Sequence, residues 1–250
     1  MRVARMIWSK PIIRTLSLGI CLLHVLPAHA QQCSIALVLA IDVSGSVNEV
    51  EYNQQINGLA AALNDPDVRS LILFSADAPV ALAVFEWSSR NHQYIVQPWV
   101  SLNGPGALDR AIIQIRTHQK VRAGLKTAMG TALEFGAAML DDQPHCWQHT
   151  IDISGDGTNN IGLSPQDVYR DPGFDRITVN ALVVANPTNT ADEGSALSPE
   201  ALRTYYESEV IHGQNAFAVI AYGYADYARA MQRKLMRELS SPVLGEARLD

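Results

Sequence analysis

Residues 35–46 read Ile-Ala-Leu-Val-Leu-Ala-Ile-Asp-Val-Ser-Gly-Ser. The part from Ile35 to Ile41 is an apolar run too short for a typical helix and without the polar alternation of a half-exposed strand. It predicts a strand buried on both faces, as strands of a parallel sheet are. A polar turn, Asp42-Val43-Ser44-Gly45-Ser46, follows at once, and residues 48–64 then carry Val50, Ile56, Leu59, Ala60 and Leu63 at helical spacing. Strand, loop and helix follow one another in that order.

The same alternation continues along the chain. Residues 80–87, 94–100, 149–153, 178–184 and 216–222 read as further strands. Residues 107–118, 127–140, 199–210 and 227–239 read as helices, the third opening on Ser198 as its N-cap. Strands alternating with helices predict an α/β fold, a doubly wound and mostly parallel central sheet with helices on both faces. No internal repeat or low-complexity linker interrupts residues 31–250, which are expected to form a single domain. The composition agrees: 48% of the 250 residues are hydrophobic and 18% charged, ordinary values for one globular core. The formal net charge is -6, and no cluster of Lys and Arg lies outside the amino terminus, so the footprint needed to hold a nucleic-acid backbone is missing.

The amino terminus is a different kind of sequence. Arg2, Arg5, Lys10 and Arg14 precede the apolar residues 16–26, and Ala28-His29-Ala30 follows. This is the pattern of a secretory signal cleaved after Ala30. A membrane anchor is the alternative, but the apolar run falls short of the ~20 residues that a spanning helix needs. There is no twin-arginine pair, and Ala30-Gln31-Gln32 before Cys33 does not form a lipoprotein cleavage box. The expected product is periplasmic or secreted, with no membrane span once residues 1–30 are removed. Removal of Cys21 with that segment leaves Cys33 and Cys146, an even count that makes them a disulfide candidate in an oxidising compartment. Two separate buried thiols, or Cys146 as a nucleophile or metal ligand beside His145 and His149, are the alternatives.

In a doubly wound sheet, ligands bind beyond the carboxyl ends of the strands, so polar residues directly after strands carry the interest. In the turn after the first strand, Asp42, Ser44 and Ser46 alternate, which lets three oxygen-bearing side chains face one point, as a hard cation requires. Gly45 relieves the backbone between them. A helix N-cap would need one such residue, not three. The second loop, Ser154-Gly155-Asp156-Gly157-Thr158, sets another carboxylate after a strand; taken alone it also fits an ordinary Asp-Gly turn. An EF-hand beginning at Asp152 is excluded, because its twelfth position is Leu163 where a bidentate Glu is required.

Asp42-x-Ser44-x-Ser46, a distant Thr and a later Asp156-Gly157 resemble the von Willebrand factor type A family. Its metal-ion-dependent adhesion site is built from these pieces in this order. Thr127, in the segment Thr127-Ala128-Met129-Gly130-Thr131, matches the family's threonine best, with Thr131 one helical turn later as the alternative and an N-cap as the plain structural reading. Gly155 stands where relatives more often carry Thr or Ser, a departure expected to be tolerated. The resemblance covers residues 33–240 and is nearest to a bacterial exported subfamily of unassigned function. It implies a hexacoordinate Mg²⁺ or Mn²⁺, ahead of Ca²⁺, held directly by Ser44, Ser46 and Thr127, with Asp42 and Asp156 acting directly or through water. It also implies that a carboxylate from a partner, expected to be an exported or envelope protein, completes the shell. In the family fold the first and fourth strands are parallel neighbours. Cys33 lies nine residues before Asp42 and Cys146 ten before Asp156, so the resemblance puts both near the edge opposite the metal, within reach of a bridge.

Two other functions compete. An assembly domain whose metal only stabilises the loops would use the same five residues. A metal-assisted hydrolase or phosphoryl-transfer enzyme would need a base or nucleophile at the site. His92, His118 and His212 are scattered in the sequence, and the dinucleotide fingerprint Gly-x-Gly-x-x-Gly is absent. A non-enzymatic binding role is therefore expected. The aromatic stretches Tyr205-Tyr206 and 222–227 are read as core with no role at the site. Amino-terminal sequencing of the exported protein is expected to begin at Gln31; retention of residues 1–30 on the mature chain would sink the signal reading.

Overall fold

The computed structural model describes residues 32–74, 77–187 and 197–240. The signal segment predicted over residues 1–30 lies outside them. A central sheet has the strand order β3-β2-β1-β4-β5-β6. The strands are β1 (Cys33–Asp42), β2 (Ala81–Trp87), β3 (Gln93–Ser101), β4 (Cys146–Gly155), β5 (Ile177–Ala185) and β6 (Ala218–Tyr222). The edge strand β3 runs antiparallel to β2, and every other neighbouring pair is parallel. The doubly wound, mostly parallel α/β fold read from the sequence is the observed one.

The apolar run of β1 explains the layering. Ile35, Leu37, Leu39 and Ile41 face one core, packed with residues of α1 (Glu49–Leu63), α2 (Pro66–Ile72), α3 (Pro105–Thr117) and α7 (Tyr227–Leu239). Ala36, Val38 and Ala40 face the other, with residues of α4 (Met129–Leu140), the short α5 (Pro165–Val168) and α6 (Pro199–Tyr205). Successive side chains of a strand point to opposite faces, so a strand covered on both must be apolar throughout. The small Ala36 and Ala40 let the second layer come close.

Several boundaries differ from the sequence reading, for local reasons. The first helix begins at Glu49 because Asn48 caps it: its side chain accepts from Val50 N and Glu51 N, and Glu51 Oε2 accepts from Asn48 N. This capping box satisfies the orphan amides at the helix start, so Asp42, Ser44 and Ser46 are not needed as caps. α4 begins at Met129, two residues later than the spacing predicts, leaving Thr127 in the preceding loop. α6 stops at Tyr205 and passes into a π-turn over Tyr206–Val210, where one continuous helix was expected. Helix α2, capped by Asp65 with Pro66 at its first position, is additional to the sequence reading.

His92 and His118 are not scattered in space. Each places Nε2 3.4 Å from a different oxygen of the fully buried Glu86. Burial pushes the Glu86 carboxyl up to about 7 and both imidazoles down. Tyr52 Oη and Val121 N donate to the same carboxylate, at 3.3 and 3.1 Å, which ties the loop after α3 to the end of β2. Among the described residues no group of three His, Cys, Asp or Glu is arranged to hold a metal. No helix among them is long and apolar enough to cross a membrane.

A second buried polar group fastens α7. Lys234, with no exposed side chain, lies 2.7 Å from both Asp152 of β4 and Glu238 one turn along its own helix. Glu238 also accepts from Asn180 Nδ2 at 2.7 Å, and Tyr227 Oη donates to Ser154 Oγ at 3.2 Å. At the amino ends of the paired strands, Cys33 and Cys146 are partners in register, their Cα atoms 4.4 Å apart, and are joined by a disulfide.

The bridge spans a sequence separation of 113, and removing a crosslink over so long a loop costs about 2–5 kcal/mol. The double variant Cys33→Ser, Cys146→Ser should melt at lower temperature; an unchanged Tm would mean the β1–β4 ladder alone supports this edge. Lys234→Met should lose about 3–5 kcal/mol in chemical denaturation at pH 8, because two buried carboxylates are left uncompensated. Burial already holds the Asp152 carboxyl above its usual range, so it takes up a proton readily and the loss should shrink at pH 5. Equal losses at both pH values would show that packing rather than charge holds α7.

Candidate metal centre

The strand order reverses between β1 and β4: helices following β1 and β4 leave toward opposite faces, and a crevice opens where the two strands end. Asp42 is the last residue of β1, and Asp156 directly follows β4. Register pairs Ile41 with Ser154, so the two carboxylates emerge side by side. The loop from Asp42 to Ser46 climbs from the core to the surface, Asp42 and Ser44 being buried and Ser46 exposed.

Hydrogen bonds order this loop. Asp42 Oδ1 accepts from Ser44 N at 2.7 Å, an Asx-type turn that folds the loop back over the carboxylate. Gln55 Nε2 of α1 donates to Asp42 O at 2.9 Å. Ser44 Oγ and Ser46 Oγ are 3.3 Å apart, and Ser46 Oγ donates to Asp156 Oδ1 at 2.6 Å. The five residues singled out in the sequence thus occupy one end of the sheet. Ser46, Thr127 and Asp156 line a single open cavity of about 590 Å³, together with Glu51, Asn160 and Tyr224.

Thr127 reaches this cavity because the loop before α4 is held from two sides. Ala128 N donates to Ser88 O at 2.7 Å. Thr127 N donates to Asn160 Oδ1 at 2.9 Å, and Asn160 N returns a bond to Thr127 O at 2.9 Å. The free amide at the start of α4, Met129 N, is satisfied by Asn159 Oδ1 at 2.8 Å. Ala128 occupies the cap position and supplies no side-chain bond, so the Thr127 hydroxyl is not used as a cap. Thr131, one turn into α4, does not line the cavity.

The electrostatics are unbalanced. Asp42 Oδ2 is buried with no hydrogen-bond partner among the described residues. Burial, with Asp156 beside it, pushes the Asp42 carboxyl far above its usual range; burial raises Asp156 as well. Two adjacent carboxylates, one orphaned oxygen and three hydroxyls are an oxygen donor set of the kind a small divalent cation takes. The residues present fit such an ion.

Three further residues shape the site, of which the sequence marked Gly155 only as a departure from the pattern it resembles and gave the two tyrosines no role. Gly155 has no side chain because there is no room: a Cβ there would lie 2.6 Å from Tyr206 Oη and 3.0 Å from Asp42 Oδ2. Tyr206, fully buried, donates to Gly157 O at 3.1 Å and backs both carboxylates, which push its own phenol up after burial has done so. Tyr224 lies close enough to Asp156 to draw its carboxyl pKa down, without forming a hydrogen bond of normal geometry. Both tyrosines belong to the stretches read as core. They are core by burial, but their hydroxyls face the site.

A search of curated proteins finds no match. Among solved structures, a von Willebrand factor type A protein from Catenulispora acidiphila superposes with a TM-score of 0.56 at 16% identity, over 83% of this chain and 43% of that one. Proximal thread matrix protein 1 from the mussel byssus, in a structure with a zinc-occupied MIDAS motif, gives 0.57 at 15% identity, over 83% and 48%. The pilus adhesin SpaC from Lactobacillus rhamnosus GG gives 0.58 at 12%, over 84% and 31%. The chain spans less than half the length of each. At these identities the likeness is one of fold, that of a von Willebrand factor A domain. A family model described as a protein of unknown function (DUF1194) matches residues 32–243, most of the 250, and the chain belongs to that family.

Proposed function

We propose that the chain is an exported binding module, not an enzyme, which engages a carboxylate of a partner protein through a divalent cation, Mg²⁺ or Mn²⁺. Ser44, Ser46 and Thr127 would hold the cation directly, and Asp42 and Asp156 directly or through water. The observation that carries this reading is the orphaned, fully buried Asp42 Oδ2 beside a second carboxylate. A buried charge without a partner is costly, and a cation removes that cost. Bound there, a cation whose ligands are largely neutral hydroxyls would keep enough positive charge to attract an incoming carboxylate.

The chain's own residues do the rest. Ser44 N and Gln55 fix Asp42, Ser46 Oγ steadies Asp156, and Asn159 and Asn160 hold Thr127 in place. Oxygen donors without thiolate or imidazole favour Mg²⁺ and Mn²⁺ over softer ions. The zinc-occupied motif of the mussel protein and the adhesive role in the name of the pilus protein support a metal-dependent contact in this fold. A binding role is preferred to catalysis because, among the described residues, no histidine lines the cavity, and the carboxylate that its hydroxyls lean on is the one assigned to the cation.

Calorimetric titration of Mg²⁺ and Mn²⁺ into chelator-treated protein should show one saturable site. Asp42→Ala and Thr127→Ala, checked for folding by circular dichroism, should each abolish it. A well-folded wild-type protein that takes up neither ion would overturn the metal reading.

A further inference from the structure

The face that carries the candidate metal centre holds a second cavity, about 390 Å³, on the other side of the loop from Ser44 to Ser46. Ser46 lines the first cavity and Ser44 the second, while Leu125 lines both as the ridge between them, 82% exposed. The second cavity is lined by Lys120 and Arg122, with Glu49 as the opposing charge, so its balance is positive. Arg122 is exposed and makes no hydrogen bond or ion pair among the described residues. Lys120 is half-buried and donates to Val47 O at 2.6 Å, which leaves two of its three ammonium protons for another acceptor.

These cations do not sit on a loosely held loop. Val121, between them, donates its N–H to buried Glu86 at 3.1 Å. Gly124 N donates to Ser88 Oγ at 3.1 Å and Lys126 N to Ser89 Oγ at 3.2 Å. A Cβ on Gly124 would fall 2.0 Å from Ser89 Oγ, so the close approach depends on glycine. The loop that presents Lys120, Arg122 and Leu125 is pinned to the end of β2 at successive points, and it continues into Thr127. In a chain of net charge -6, two cations held in this way beside a carboxylate-binding centre define a second anion subsite.

We infer that the ligand is an acidic peptide segment with two carboxylates. One occupies the candidate metal centre and the second pairs with Lys120 and Arg122, the segment crossing the Leu125 ridge. This rests on the metal-dependent reading above for the first carboxylate and on the basic cavity alone for the second. In an extended segment, acids two residues apart lie on the same side, about 7 Å apart, so Asp-x-Asp or Glu-x-Glu presents both carboxylates to one face.

The test uses the exported protein with saturating Mg²⁺ and two synthetic peptides that differ only in carrying one Asp or two Asp separated by one residue. The diacidic peptide should bind about tenfold more tightly, as charge-assisted pairing with an exposed cavity allows. The ratio should fall toward one in Arg122→Gln, in the double variant with Lys120→Gln, and in high salt, while Arg122→Gln leaves binding of the monoacidic peptide unchanged. Equal binding of the two peptides by wild type, or a ratio that survives both variants, overturns the inference. Failure of both peptides to bind overturns it too, and the metal titration then reports separately whether the metal reading stands. A preference for two acids that persists in chelator also overturns the inference, because neither carboxylate then depends on the metal centre.

Discussion

The parallel pairing of β1 with β4 is the constraint on which the rest of the structure depends. Eight register pairs run from Cys33 opposite Cys146 to Ile41 opposite Ser154, so what happens at one end of the pair is fixed relative to the other. At the amino ends the two cysteines meet and are joined. At the carboxyl ends the chain leaves β1 through Asp42 and β4 through Asp156, and their carboxylates are brought together by the ladder itself. Like charges in a partly buried crevice repel and lose hydration, so this arrangement costs stability unless something compensates it. The compensation supplied by the chain is partial: one Asp42 oxygen is bonded and the other is not.

Around that pair, the neighbouring elements act as a mould. Tyr206, delivered by the π-turn after α6, fills the space that a side chain at position 155 would need. Asn159 and Asn160 link the loop after β4 to the start of α4, so Asp156 and Thr127 are parts of one hydrogen-bonded assembly.

Buried polar clusters set the positions of elements that packing alone would leave free to slide. Glu86, with Tyr52, His92, His118 and Val121, fixes the loop after α3 against β2, and that loop carries both Thr127 and the cations of the second cavity. Lys234, Asp152, Glu238 and Asn180 fix α7 against β4 and β5. Apolar contacts are non-directional, whereas a buried ion pair or hydrogen bond is satisfied in one geometry only.

Much of this was legible in the sequence. The unbroken apolar run of β1 required burial on both faces, and repeated strand–helix alternation required a doubly wound sheet, because periodicity is a local property that side-chain burial imposes. The alternation Asp42, Ser44, Ser46 was legible for the same reason: its geometry is set within five residues. Thr127 and Asp156 could be named from the family pattern, and Cys33 and Cys146 from compartment and spacing. What the sequence could not supply was any contact between distant residues that neither a resemblance nor the cysteine count names. Tyr206 and Tyr224 at the site, His92 and His118 on one carboxylate, the fastening of α7 by Lys234 and the two cavities divided by Leu125 each depend on which elements pack together. That is decided by the tertiary fold, since contacts between distant segments leave no periodic trace in either one.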